Sequence, residues 1–116
     1  MTSDQALTAL RLADGLPKVI GAGCTFKNGA PCCSIGHMAA ALGVKVPDTE
    51  VWWTPTQGVR AVEAATGLSW ANVFAVNDTT APSMRRAEVI REVEYQVRAA
   101  GFDPQTLRAS NEEVQQ

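Results

Sequence analysis

The sequence predicts an α+β domain in which helices predominate around one small β-hairpin. Two observations predict this class. Apolar residues recur at helical spacing in several separate segments, and Asn28-Gly29 is the favoured pair for a tight turn between two short strands. We expect four to five helices in a single globular domain spanning residues 1–109. Residues 110–116 carry almost nothing to bury, so we expect a frayed C-terminal tail.

Caps and breakers predict the helices of the first half. The first helix is expected to begin at Ser3, where a hydroxyl can cap it, and to end before Gly15. After the hairpin, Ser34 is a second candidate cap. Gly43 is placed as the C-terminal cap of that helix, whose small residues leave room for a close neighbour.

The second half is expected to contain two further long helices, a short turn of helix that begins at Ser69, and a last short helical segment that begins at Asp103-Pro104. A loop at 45–53 leads to the residues 54–57, Thr-Pro-Thr-Gln, which form a strong helix start because they combine a cap, an N1 proline and a capping box. Turn-forming residues predict a loop at 77–82. The longest helix then runs from Ser83 to about Ala100. Its expected buried stripe consists of Ala87, Ile90, Val93, Val97 and Ala100.

Composition and charge narrow the classes of function. The 116 residues are 46% hydrophobic and 19% charged, with a net charge of −2, so the chain lacks the basic balance typical of nucleic-acid-binding domains. No apolar run approaches the roughly 18 residues of a membrane span. The N-terminus has no basic leader before an apolar stretch, and the three cysteines suit free thiols. We therefore expect a cytoplasmic protein that binds neither membranes nor nucleic acid.

The segment 32–37, Cys-Cys-Ser-Ile-Gly-His, holds the most reactive side chains. Cys33 lies at or beside a predicted helix N-terminus, where the helix dipole favours a thiolate, and His37 follows one turn later. That spacing permits a nucleophilic cysteine with a histidine partner. However, free cysteines commonly act as small buried hydrophobes, and catalytic Cys–His pairs usually come from separate elements. The balance favours a protein that is not an enzyme.

The same segment also suggests a zinc site. The hairpin would bring Cys24 close to Cys32 or Cys33, so Cys24, Cys33 and His37 form a candidate ligand set. The short Cys–Cys spacing typical of structural zinc sites is missing, and a fourth ligand would have to be a distant carboxylate. We expect no cofactor, and a zinc-stapled or thiol-active protein is the alternative.

Two further pairs of residues are candidates for contact with a partner. Trp52 and Trp53 are adjacent in a predicted loop, and an extended backbone cannot turn both indoles into the core. An exposed indole is typical of recognition surfaces, although a tryptophan packed over the next helix is the alternative. Asn77 and Asp78 could join this contact, but such residues more often bond the local backbone.

Two motifs together resemble an uncharacterised family of small proteins from actinobacteria and their phages. The first is the Asn28-Gly29 turn followed by the segment 33–37, in which His37 stands where that family has a small residue. The second is the apolar segment 70–78, which ends in Asn77-Asp78 and precedes a long helix. The resemblance covers roughly residues 5–100. It implies the order of elements and a phage or actinobacterial origin, and it assigns no catalytic residue.

Taken together, the small size, the near-neutral charge and the aromatic loop predict a small non-enzymatic protein-binding module, and the resemblance implies a phage-encoded modulator of a host protein. The partner protein would dock on Trp52 and Trp53, with Asn77 and Asp78 beside them. A homodimer is a second option, because the small-residue helix at 36–41 can pack against its own copy. The long C-terminal helix could instead cover that face.

Overall fold

The structure is a computed structural model that describes residues 1–45, 50–51 and 57–115, with the backbone alone for 50–51 and 111–115. It confirms the predicted class, a predominantly helical α+β fold. A 3-10 turn, Pro82–Met84, precedes the fifth helix. The elements in chain order are α1 Ser3–Asp14, β1 Cys24–Lys27, β2 Ala30–Pro31, α2 Ser34–Ala41, β3 Glu50–Val51, α3 Gln57–Thr66, α4 Trp70–Thr79, α5 Arg85–Ala99 and α6 Pro104–Gln115.

The predicted hairpin is present, and it forms part of a three-stranded antiparallel sheet of order β2-β1-β3. Asn28 and Gly29 turn the chain with φ angles of 52° and 77°, the left-handed values that this residue pair tolerates. Pro31 pairs with Phe26 on the edge strand β2, where its missing N–H costs no ladder bond. The third strand, β3, lies inside the segment 45–53, for which the sequence predicts a loop. Two residues are too few to show the alternation of apolar and polar side chains that indicates a strand.

The core is formed by the inner surfaces of the five helices α1 to α5 together with the aromatic ring of Phe26. On α5 the predicted buried stripe is only partly correct. Val93 and Val97 are buried, but Ala87 and Ala100 are exposed and Val89 takes the inner position. The reason is spacing: positions 89, 93 and 97 recur every fourth residue and form a narrow stripe along α5. Each buried valine contributes roughly 1.5–3 kcal/mol relative to exposure.

Two boundaries in the second half differ from the prediction. The expected loop at 77–82 is wrong in its first part, because α4 continues through Asn77 and Asp78 to Thr79. Burial of Asn77 among its bonding partners outweighs the turn preference of these residues. At the C-terminus, α6 extends to Gln115, whereas residues 110–116 were expected to form a tail. No helix in the described part of the chain combines the length and apolar character needed to cross a membrane.

Helix α2 lies so close to β1 that position 36 must be glycine. A Cβ atom on Gly36 would lie within 2 Å of the backbone carbonyl oxygen of Thr25. On the next turn, Ala39 packs beside Gly58 of α3. The small-residue face of α2 is therefore covered by β1 and α3 of the same chain. The long C-terminal helix, the predicted cover, packs on α1 and α4 instead.

Two arginines of α5 hold the connection between α1 and β1. Arg85 Nε donates to the Asn77 carbonyl at 3.0 Å and its Nη1 to the Ile20 carbonyl at 2.9 Å. Arg86 donates to the carbonyls of Leu16 and Asp14 at 2.8 and 2.9 Å. Charged residues on a helix usually face water, but the guanidinium groups of Arg85 and Arg86 instead bind backbone carbonyls of the α1–β1 connection and of the last turns of α1 and α4.

A third arginine fastens α6 to the rest of the fold. Arg108 binds both carboxylate oxygens of Asp14 on α1, at 2.9 and 3.0 Å. Its third nitrogen, Nη1, binds Glu94 of α5 at 2.5 Å. This forked guanidinium geometry gives a charge-assisted contact with fixed direction.

The first prediction concerns the α2–β1 contact. Gly36→Ala should lower the free energy of unfolding by about 3 kcal/mol or prevent folding, because the clash is with backbone that cannot rotate away. Gly58→Ala is the matched control: its Cβ would meet the movable ring of Phe26 at 3.0 Å, so the loss should be smaller. Urea unfolding followed by circular dichroism measures both. Equal stabilities of the two variants would contradict the tight contact.

Candidate functional site

The hairpin and the start of α2 bring all three cysteines together. The N–H of Cys32 donates to the Thr25 carbonyl at 2.9 Å, and the N–H of Cys33 donates to the Cys24 carbonyl at 3.2 Å. Two consecutive N–H groups thus bond two consecutive carbonyls. In a regular antiparallel ladder, only every second residue of a strand bonds the partner strand. The irregular end of the ladder places Cys32, rather than Cys33, beside the thiol of Cys24. We call this region the hairpin–helix junction, comprising residues 21–25 and 32–37.

The thiols of Cys24 and Cys32 are in direct contact. The Cys24 thiol donates to Cys32 Sγ over 3.1 Å, and both residues are half-buried. Partial burial, the hydrogen bond from Cys24 and the charge of Cys24 raise the pKa of Cys32 to about 11. Cys32 is therefore a protonated thiol near neutral pH.

Cys33 occupies the predicted position at a helix N-terminus, as the N-cap residue of α2, but its side chain is fully buried. Hydrogen bonds from the N–H groups of Gly36 and Ile35 favour its thiolate. Desolvation is the larger effect and raises the pKa of Cys33 to about 12. The thiol thus packs in the core at the N-terminus of α2, and its burial disfavours a nucleophilic role.

His37 follows Cys33 by one turn of α2 and is half-buried, and desolvation lowers its pKa below the ordinary value. The alternative zinc ligands were Cys24, Cys33 and His37. In the structure Cys24 contacts Cys32, while Cys33 lies inside the core. Across residues 1–45, 50–51 and 57–115, no group of three or more His, Cys, Asp and Glu side chains is placed to hold a metal ion.

Asn77 joins the two parts of the junction from its position on α4. Its Oδ1 accepts from the N–H of Ser34 at 3.0 Å, where α2 begins. Its Nδ2 donates to the Gly21 carbonyl at 2.9 Å and to Asp78 Oδ1 at 2.9 Å. Asp78 Oδ1 also accepts from the N–H of Gly23 at 3.2 Å. Asn77 and Asp78, the candidate partner contacts, therefore use these atoms within their own chain.

Trp52 and Trp53, the other two candidate contacts, lie outside the described residues, so their role stays a prediction. The structure instead brings forward an aromatic residue that the sequence reasoning missed. Tyr95 on α5 is 66% exposed. Tyr95 lies two positions from each of the buried residues Val93 and Val97, so helical spacing places it away from the buried stripe of α5. This spacing is the signal in the sequence that could have indicated its exposure.

Tyr95 separates two grooves on the outer surface of α4 and α5, which we call the α4–α5 face. The smaller groove, of about 230 Å³, lies between Tyr95 and Val76. Its charged wall consists of Glu88, Arg91 and Glu92. The larger groove, of about 380 Å³, lies on the other side of the tyrosine and is lined by Met1, Gly67, Ser69, Asn72, Gln96, Ala99 and Ala100.

Comparisons of the chain with models of protein families, with curated proteins and with solved structures found no significant match.

The second prediction tests the bonds of Asn77. Asn77→Ala should lower the free energy of unfolding by about 2–3 kcal/mol, because the Ser34 N–H and the Gly21 carbonyl lose their partner. Asn72→Ala, on an exposed position of the same helix, is the matched control and should change stability by less than about 0.5 kcal/mol. Chemical denaturation measures both variants. Indistinguishable losses would show that these bonds contribute nothing to stability.

The third prediction concerns the reactivity of Cys33. With its pKa at about 12 against an ordinary 9.0, the thiolate fraction at pH 7.5 falls on the order of a thousandfold. Alkylation of Cys33 by iodoacetamide should be slower in the folded chain than in urea by at least a hundredfold, and it should still accelerate above pH 10. Mass mapping of timed samples gives the rate at each cysteine. Rapid alkylation of Cys33 in the folded chain at neutral pH would restore the nucleophile hypothesis.

Proposed function

We propose that this chain is a small non-enzymatic module that binds another protein through the α4–α5 face. The observation that carries the proposal is the exposure of Tyr95, whose aromatic ring stands outward between two grooves. Tyrosine is enriched at the energetic centres of protein interfaces, since it combines a large apolar ring with a hydroxyl. A ring flanked by concave surface suits the insertion of partner side chains on both sides.

The lining of the grooves indicates the chemistry of the partner. Ala99 and Ala100 give the larger groove a small-residue wall that accepts an apolar side chain. In the smaller groove, two carboxylates oppose one guanidinium, and Arg91 is already paired with Glu88 at 3.3 Å. The remaining negative charge favours a basic group on the partner. We therefore expect a protein surface that presents an apolar side chain next to a lysine or arginine.

Trp52 and Trp53 remain in the proposal on the evidence of the sequence, as a second contact for the same partner. Asn77 takes a supporting role: its amide fixes the hairpin–helix junction, and the half-buried Asp78 borders it. The resemblance to small actinobacterial and phage proteins supports a host-encoded partner. A second copy of the chain is the other occupant that the experiment must distinguish.

The fourth prediction tests the α4–α5 face by comparative capture from actinobacterial lysate. The wild-type chain should retain a defined partner, and Tyr95→Ala should weaken its binding at least tenfold, because truncation removes a central aromatic contact. Val19→Ala is the matched control, since Val19 is 85% exposed but lines neither groove. Isothermal titration with the purified partner supplies the dissociation constants.

The outcomes separate the candidate contacts. A partner bound equally by the wild type and Tyr95→Ala, but lost by Trp52→Ala plus Trp53→Ala, would move the site to the indole pair. Unchanged binding in both variants would overturn the proposal. Sedimentation of the wild type alone tests self-association, and a dimer that Tyr95→Ala dissociates would identify the second copy as the partner.

A thiol-active protein is the second candidate function, and one observation favours a revised form of it. The reactive group would be the pair of Cys24 and Cys32, because these two residues are half-buried and in contact, whereas Cys33 is fully buried. A dithiol in contact suits reversible oxidation rather than nucleophilic catalysis by a single cysteine.

A further inference from the structure

We propose that Cys24 and Cys32 form a reversible intramolecular disulfide that staples the hairpin. The two sulfur atoms lie 3.1 Å apart across the irregular end of the β1–β2 ladder. A disulfide bond is about 2.05 Å long, so closure requires a movement of about 1 Å. This inference is independent of the α4–α5 face, and it assigns a modification site to two residues that the binding proposal leaves unused.

The surroundings of the pair favour this reaction over other fates of the thiols. Both residues are half-buried, so a small oxidant reaches the sulfurs while the local backbone stays packed. Gly21 lies directly over Cys32: a Cβ atom there would come within 2.7 Å of its Sγ. The backbone of Gly21 is fixed in turn, because its N–H donates to the Cys32 carbonyl at 2.8 Å and its carbonyl accepts from Asn77.

The chemistry is thiol–disulfide exchange with a small disulfide such as oxidised glutathione. One cysteine, as its thiolate, attacks a glutathione sulfur, and the S–S bond breaks to release one reduced glutathione. The second cysteine, losing its proton, attacks the protein sulfur of the mixed disulfide and releases the second reduced glutathione. The protein loses two electrons and two protons, and oxidised glutathione gains them.

The raised pKa of Cys32 supports a slow reaction that accelerates with pH, since the thiolate is the attacking form. Closure links residues 24 and 32 and encloses the Asn28-Gly29 turn in a ring of nine residues. The hydrogen bonds from the Cys32 and Cys33 N–H groups then lie at the closed end of that ring. The oxidised chain should therefore hold the hairpin and the start of α2 more firmly than the reduced chain.

The fifth prediction is tested on the full chain, first reduced and then incubated with excess oxidised glutathione at pH 8. We expect an intact mass lower by two hydrogen atoms, a peptide linkage between Cys24 and Cys32, and one titratable thiol in denaturant instead of three. Hydrogen exchange at the amides of Cys32 and Cys33 should slow at least tenfold on oxidation. Returning the protein to excess reduced glutathione should restore three thiols.

Two variants provide the controls. Cys33→Ala should still lose two hydrogen atoms and should retain no titratable thiol, because the remaining pair is the reactive one. Cys24→Ser should form no internal link and should stop at a mixed disulfide with glutathione on Cys32. A linkage that includes Cys33, separate glutathione adducts on Cys24 and Cys32 of the wild type, or three persisting thiols would each overturn the proposal.

Discussion

The fold depends on the buried side-chain amide of Asn77, which connects elements that no regular hydrogen-bond ladder joins. One end of the amide accepts from the first N–H of α2, and the other donates to the loop that precedes β1. Arg85 binds the backbone carbonyl of the same asparagine. A single residue of α4 thus fixes α2, the β1 loop and α5 together. Because a buried amide without partners is costly, this arrangement permits few alternatives.

Local patterns predicted much of this architecture. The Asn28-Gly29 turn, the edge position of Pro31 and a helix start near position 34 follow from short-range preferences, although the N-cap is Cys33 rather than the predicted Ser34. The patterns did not predict the structure correctly at residues whose conformation depends on contacts with distant parts of the chain. Asn77 and Asp78 read as a loop, since their partners Gly21, Gly23 and Ser34 are far away in the sequence. The role of Arg85 was likewise hidden, because a charged residue on a helix usually faces water.

The thiols show how position and burial compete. The sequence placed Cys33 at a helix N-terminus, where the dipole lowers a thiol pKa, and the structure confirms that position. The sequence could not reveal that the Cys33 sulfur is buried in the core. Nor could it reveal that the N–H groups of Cys32 and Cys33 both bond β1, which departs from the regular pattern of an antiparallel ladder. That irregularity places Cys32, rather than Cys33, against Cys24, and the spacing of residues in the sequence does not predict it. The candidate site was therefore located correctly as a region, but its chemistry depended on tertiary packing.

The forked contact of Arg108 has a consequence for the independence of α6. Among its described side chains, this helix buries Pro104 and part of Leu107, and Arg108 attaches it to two carboxylates that are partly exposed to water. Mobile ions weaken such charge pairs, whereas they leave the valine stripe of α5 unaffected. Ionic strength thus acts on the C-terminal segment separately from the five-helix body. High salt should therefore weaken the attachment of α6 through Arg108 before it affects the apolar core.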